Sequence, residues 1–295
     1  MILLSTELRP PRSDGGEAIA RLAVESGAPG LHIGGGCDLE LLATAPLLAT
    51  AMRLGLEMSS LTLPLPDRPL GAGKRLPRLA AAASDERAAA IRLAEQALAV
   101  AGSVGTRVAE VDFGGVFLTA SRAELGRHFA RRACGPGEPG AELLQRALAE
   151  RKSMSTAILD GCRWSMERLV RAAERAGTRL AARVAASPWQ APSTRELAEL
   201  RESFGDRLGV AWDPGRLSVL ASLGLPPAES RLQSLAAAAA LAVDNDAVGL
   251  APGYLPGLGE RAAALAGIPL DAAVPRVVLG PPGSTDLEVI EAVRR

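Results

Sequence analysis

The chain is poor in aromatic residues, histidine, lysine and cysteine, and it carries no net charge. Aromatics make up 3% of its 295 residues, too few for the stacking platforms that hold bases or neutral sugar rings. Basic and acidic residues each number 33. No strongly basic face is left for a nucleic acid, and no charged tail marks an interaction arm. The two lysines, Lys74 and Lys152, both lie away from the strand ends identified below, which leaves no amine for Schiff-base chemistry. His32 and His128 are the only histidines, so a histidine-rich zinc site is excluded. Cys37, Cys134 and Cys162 are odd in number, far apart and without a C-x-x-C, a pattern that suits a reducing cytoplasm better than a disulfide framework. Met1–Glu7 has no basic n-region of a signal peptide. The apolar run Leu235–Val243 is far shorter than a membrane span. There is no G-x-S-x-G or H-E-x-x-H, and no G-x-G-x-x-G after the first strand. These features predict a cytoplasmic protein with a small-molecule ligand and neither nucleic-acid nor membrane partners.

What the chain does have is alternation. Short apolar runs at Met1–Ser5, Gly30–Ile33, Glu57–Leu63, Thr106–Val111, Arg179–Val184, Leu208–Trp212, Leu241–Val243 and Val274–Leu279 read as strands. Amphipathic Ala/Leu/Arg/Glu segments separate them. Asp85–Ala101, for example, sets Ile91, Ala94, Leu98 and Ala101 on one face. Further helical pattern runs from Ala141 to Arg151 and from Arg163 to Ala176. Ser193-Thr194-Arg195-Glu196 and Thr285-Asp286-Leu287-Glu288 are capping boxes that open two more helices. Eight strand-then-helix units predict an α/β fold, a single (β/α)8 barrel over residues 1–295, with an insertion or lid at 112–140 after strand four. An open doubly wound sheet is the rival.

Barrel chemistry sits at the C-terminal ends of the strands. Those ends carry Thr6, Glu7, His32, Thr62, Glu110, Asp112, Arg183, Asp213, Arg216 and Asp244. His32 reads as a base, a ligand or a hydrogen-bonded residue of the mouth. Gly34-Gly35-Gly36 is a tight loop or an anion cradle. Arg68, Arg75 and Arg78 around Gly71–Lys74 form a solvated loop or a clamp for an anion. Gly280–Thr285 is a helix cap or a phosphate site.

Several pieces in order and spacing resemble a known family. They are Arg168–Gly177, Trp212-Asp213-Pro214-Gly215-Arg216, Asp244-Asn245, Pro256-Gly257-Leu258-Gly259 and Pro275–Leu279. Together they resemble the xylose-isomerase-like barrels of the sugar phosphate isomerases and epimerases. The resemblance implies a TIM barrel and a divalent metal held by a Glu, an Asp, a His and a Glu, one from each of the last four strands. Asp213 matches the Asp. Val184-Ala185-Ala186, Leu241 and Gly280 stand where the other three ligands belong, and Arg216 replaces a substrate-facing His. The expectation is a divergent member with a degenerate metal site and no bound cofactor, which binds a small polar or anionic, sugar-like ligand. Glu110, Asp112 and Asp213 are its candidate catalytic residues; His32, Arg183, Arg216 and Asp244 are its candidate substrate contacts. Arg216 is expected to pair with Asp213 or to fork onto the ligand, standing in electrostatically for the cation. Two alternatives stay open. One is an active isomerase or epimerase with a rearranged site, in which Asp112, Asp244 and His32 help hold a weakly bound Mn²⁺ or Mg²⁺. The other is a non-catalytic accessory protein. Oligomeric state is not legible.

Overall fold

Eight parallel strands close on themselves in the order β1-β10-β7-β6-β5-β4-β3-β2. They are β1 (Ile2–Ser5), β2 (Gly30–Ile33), β3 (Glu57–Leu63), β4 (Val108–Val111), β5 (Arg179–Arg183), β6 (Leu208–Trp212), β7 (Ala239–Asp244) and β10 (Arg276–Val278). A two-stranded hairpin, β8 (Asp246–Val248) with β9 (Ala251–Tyr254), follows β7. The computed structural model describes residues 1–8, 16–34, 37–40, 46–66, 75–248, 250–256, 259, 261–265, 268–281 and 284–294. Gly35, Gly36, Arg68, Gly71–Lys74, Gly257, Leu258, Pro282 and Gly283, which figure in the sequence reading, lie outside the described residues.

Every residue of β2, β4, β6 and β7 is buried. A parallel strand covered by a helix on one side and by the barrel interior on the other has no wet face, which is why these strands read as continuous apolar runs. Inside the barrel, Leu3, Val108, Ala181, Leu241, Val243 and Val277 form their own cluster. Outside, the strands are covered by α1 (Glu17–Ser26), α2 (Pro46–Arg53), α3 (Ser84–Ser103), α6 (Ser155–Ala176), α7 (Thr194–Phe204), α8 (Pro214–Ser222), α9 (Glu229–Ala237) and α10 (Asp286–Arg294). The long helices α3 and α6 lie against each other. The capping box at Ser193 is formed in full, and Thr285 and Glu288 cap α10 in the same reciprocal way.

The segment 112–140 holds a helix of its own, α4 (Arg122–Ala130), capped by Ser121, and leads into α5 (Pro139–Ser153). A bridge from Gly115 to Gln190 ties its first part to the loop after β5. Two details differ from the sequence reading. The helix expected from Arg163 starts at Ser155, because the polar first turns continue the buried face of Ile158, Leu159 and Cys162. The β8–β9 hairpin lacks the regular alternation that would announce it. No helix among the described residues is long and apolar enough to cross a membrane.

Candidate functional site

A cavity of about 1820 Å³ opens at the C-terminal mouth of the barrel. Thr62, Asp112, Arg183 and Arg216 face it from the strand ends, and Phe117 and Tyr254 stand in its walls.

The order Trp212-Asp213-Pro214-Gly215-Arg216 explains the centre of this floor. Strand β6 delivers Asp213, whose Oδ1 accepts the backbone N–H of Arg216 at 2.9 Å and caps α8. Pro214 takes the first helical position, where its missing N–H costs nothing. Gly215 is required because a Cβ there would lie 1.7 Å from Asn245 Oδ1. The capping geometry turns the side chain of Arg216 back over the strand ends. Its Nη2 donates to Asp112 Oδ2 at 2.8 Å and its Nη1 to the Val184 carbonyl at 3.1 Å, while Nε lies 3.5 Å from Asp213 Oδ2.

Strand β5 ends in Arg183, whose side chain enters the barrel. Its Nε–H donates to Asp213 Oδ2 at 2.9 Å. The same nitrogen lies 2.8 Å from Glu110 Oε1, but that oxygen accepts no hydrogen bond. One N–H cannot point at both carboxylates, and it points at Asp213. Burial works against the charge of Arg183; Glu110, Asp213, Asp112 and Glu7 overcome it and hold the guanidinium protonated. Neither Nη of Arg183 takes part in a hydrogen bond among the described residues, and the side chain lines the cavity.

The carboxylates differ in state. Burial pushes the Glu110 carboxyl up, against the pull of Arg183 and Arg216. Burial would also raise Asp112, but Arg216, Arg183 and the N–H of Gly114 outweigh it and hold Asp112 below the usual range. Behind Glu110 runs a chain of hydrogen bonds. Thr62 Oγ1 donates to Glu110 Oε2 at 3.0 Å. Its oxygen is therefore free to accept from His32 Nε2, also at 3.0 Å. That places the imidazole proton on Nε2, so Nδ1 accepts from Ser60 Oγ at 2.8 Å. Burial lowers His32 to about 4, with Arg183 acting the same way against Glu7, and the neutral tautomer agrees with this.

The structure thus joins His32, Glu110, Asp112, Arg183, Asp213 and Arg216 in one network spanning β2 to β6. Asp244 does not join it. Leu241 and Val243 face the interior, and side chains alternate along a strand, so Asp244 points outward. There it is held by Arg261 at 3.0 Å and by Arg276, beside a separate cavity of about 350 Å³. Two participants were missed from the sequence. Ser60 was signalled only by its i, i+2 relation to Thr62. Arg122, on the first turn of α4, faces the mouth cavity and had no sequence signal.

A divalent cation, which the family resemblance implies, does not fit these residues. The inward side chain at the end of β5 is the cation Arg183. Strand β7 offers Leu241 and Val243. At Gly280 a Cβ would already stand 2.7 Å from Leu255 Cγ, so a carboxylate has no room. Asp213 is claimed by two guanidinium groups. Among the described residues no group of three or more His, Cys, Asp and Glu side chains is placed to hold a metal.

No protein-family model and no curated protein matches the chain. Solved structures do match. The 3-keto-D-glucoside 4-epimerase of E. coli superposes with a TM-score of 0.66 at 12% identity, over 99% of this chain and 97% of that one. D-allulose 3-epimerase of Methylomonas sp., in complex with D-allulose, gives 0.64 at 12% identity, over 100% and 89%. A xylose isomerase domain protein of Planctomyces limnophilus gives 0.58 at 14% identity, over 100% and 94%. The chain is a closed (β/α)8 barrel, and its fold is that of the xylose-isomerase-like TIM barrels.

Proposed function

We propose that this protein binds a small anionic ligand at the barrel mouth and does so without metal-dependent catalysis. The observation that carries this reading is Arg183. Its guanidinium is pinned through Nε to Asp213, beside Glu110, in a residue that lines the cavity, and neither Nη is hydrogen-bonded among the described residues. A fixed cation with unused donors is suited to a carboxylate or phosphate. Arg216, the residue expected to do this, is already committed to Asp112 and Val184, and supports Arg183 rather than leading.

The alternative, an isomerase with a rearranged site, draws on the raised carboxyl of Glu110 as a proton-transfer group. Glu110 is 1% exposed and lies behind Thr62 and Arg183, which counts against direct contact with substrate. Asp112 does reach the cavity, but Arg216 holds it ionised and paired. Calorimetric titration with a panel of small organic carboxylates, in the presence of EDTA, separates the readings. Binding that persists in EDTA and gains nothing from added Mn²⁺ is the expected result. Binding that appears only with Mn²⁺ would replace this reading with the metal-dependent one.

A further inference from the structure

Resting on that reading, we infer that the ligand is a monocarboxylate with an apolar body, and not a polyol or a sugar phosphate. Two observations lead there, one about charge and one about the walls.

The cations of the mouth are unequally engaged. Arg78 is forked onto Glu86 at 2.7 and 2.8 Å and also donates to the Gly115 carbonyl. Arg216 is taken by Asp112. Three cationic groups remain: the Nη pair of Arg183, and Arg75 and Arg122, neither of which has an ion pair among the described residues. Partial burial lowers the Arg122 pKa, and the charge of Arg216 acts in the same direction. A ligand anion beside Arg122 relieves that repulsion. Its charge is limited from the other side, because Glu110, Asp112 and Asp213 surround Arg183. A second negative charge on the ligand would face these carboxylates, so a monoanion is favoured over a phosphate dianion.

The walls are largely apolar, and several of their polar atoms are spent. Phe117 is 68% exposed, with its ring 3.9 Å from the Arg78 guanidinium carbon, so the clamp on Glu86 also holds the ring in place. Val116, Leu118, Leu250 and Leu279 stand around the same space. Trp189 lines it as well, and its Nε1–H is already donated to the Ala120 carbonyl at 2.7 Å. Ser121 Oγ caps α4, Gln190 Oε1 accepts from Ala186, and Thr62 belongs to the His32–Glu110 chain. The Tyr254 hydroxyl and Gln190 Nε2 remain, so the several hydroxyls of a polyol would leave water here for few partners, at a cost for each one left over. A hydrocarbon or aryl body gains from the same surface.

The test is calorimetry on the full chain with three probes: 3-phenylpropionate, gluconate and inorganic phosphate. 3-Phenylpropionate should bind at least about tenfold more tightly than either of the others, which corresponds to the loss of roughly one buried ring face. Arg122→Ala, on an exposed helix turn where folding is not at stake, should weaken it severalfold, and Phe117→Ser should narrow its lead over gluconate. Gluconate or phosphate binding as well as or better than 3-phenylpropionate would overturn the inference and leave the anion-binding reading standing. 3-Phenylpropionate binding unaffected by Arg122→Ala would overturn the assignment to this mouth. If none of the three binds, the anion-binding reading fails as well.

Discussion

Asp213→Ala is expected to destabilise the protein by about 3–5 kcal/mol, the usual cost of breaking a buried ion pair from one side. Asp213 is fully buried and answers two guanidinium groups, Arg183 at 2.9 Å and Arg216 at 3.5 Å. Its removal leaves Arg183 beside Glu110 alone, and Glu110 is the carboxyl that burial drives toward the neutral form. The same change deletes the N-cap of α8, worth about 1 kcal/mol. Asp213→Asn should fall between the wild type and the alanine variant, since an amide oxygen keeps the cap and loses the charge. Urea unfolding of the three proteins reads this directly. A loss below about 1 kcal/mol for Asp213→Ala would mean that the guanidinium groups are solvated and that the network does not hold the floor together.

The second large effect is on pH dependence. His32 titrates near 6.5 when unfolded and near 4 in the fold. Between these values the unfolded chain binds the proton and the folded one does not, so stability falls as pH drops from 6.5 to 4. It is fully present above 6.5. The shift corresponds to about 3 kcal/mol. Glu110 acts in the opposite sense: its folded carboxyl holds a proton to higher pH, so its contribution declines as pH rises through the folded value. The two partly cancel in the wild type, and the quantity to follow is the difference between wild type and His32→Gln. That difference should shift against the wild type by up to about 3 kcal/mol between pH 7 and pH 4. A difference that does not change with pH would show that His32 is hydrated, and that the Ser60–His32–Thr62–Glu110 chain does not form.

Much of the barrel was legible because its strands are buried on both faces and its helices announce themselves through caps. The 193–196 and 285–288 boxes, the Asp213-Pro214 start of α8 and the amphipathic face of α3 all follow from local chemistry. The floor was partly legible for the same reason: a polar residue ending an apolar strand at the barrel mouth has few places to go but the site. Glu110, Arg183 and Asp213 satisfy this rule, and Arg216 follows from the cap that Asp213 makes. Asp244 obeys it in sequence and breaks it in space. Ala242, Val243 and Leu241 are all apolar, so the phase of β7 cannot be fixed from composition, and a shift of one residue sends a side chain to the other face. The division of labour between the arginines was also hidden. Which guanidinium reaches Asp112 and which turns to the cavity depends on the path of α8 and on the side-chain directions at the ends of β4 and β5, which no local pattern records. Arg122 depends on how α4 sits over the mouth, a matter of tertiary packing.

We propose that the fixed charge of Arg183 serves the barrel mouth without a divalent cation. Elemental analysis of the full-length protein, purified without added metal and without chelator, tests it most directly. Mn, Zn and Mg should each come far below one atom per chain. About one bound ion per chain, removed by EDTA together with binding of small carboxylates, would contradict it.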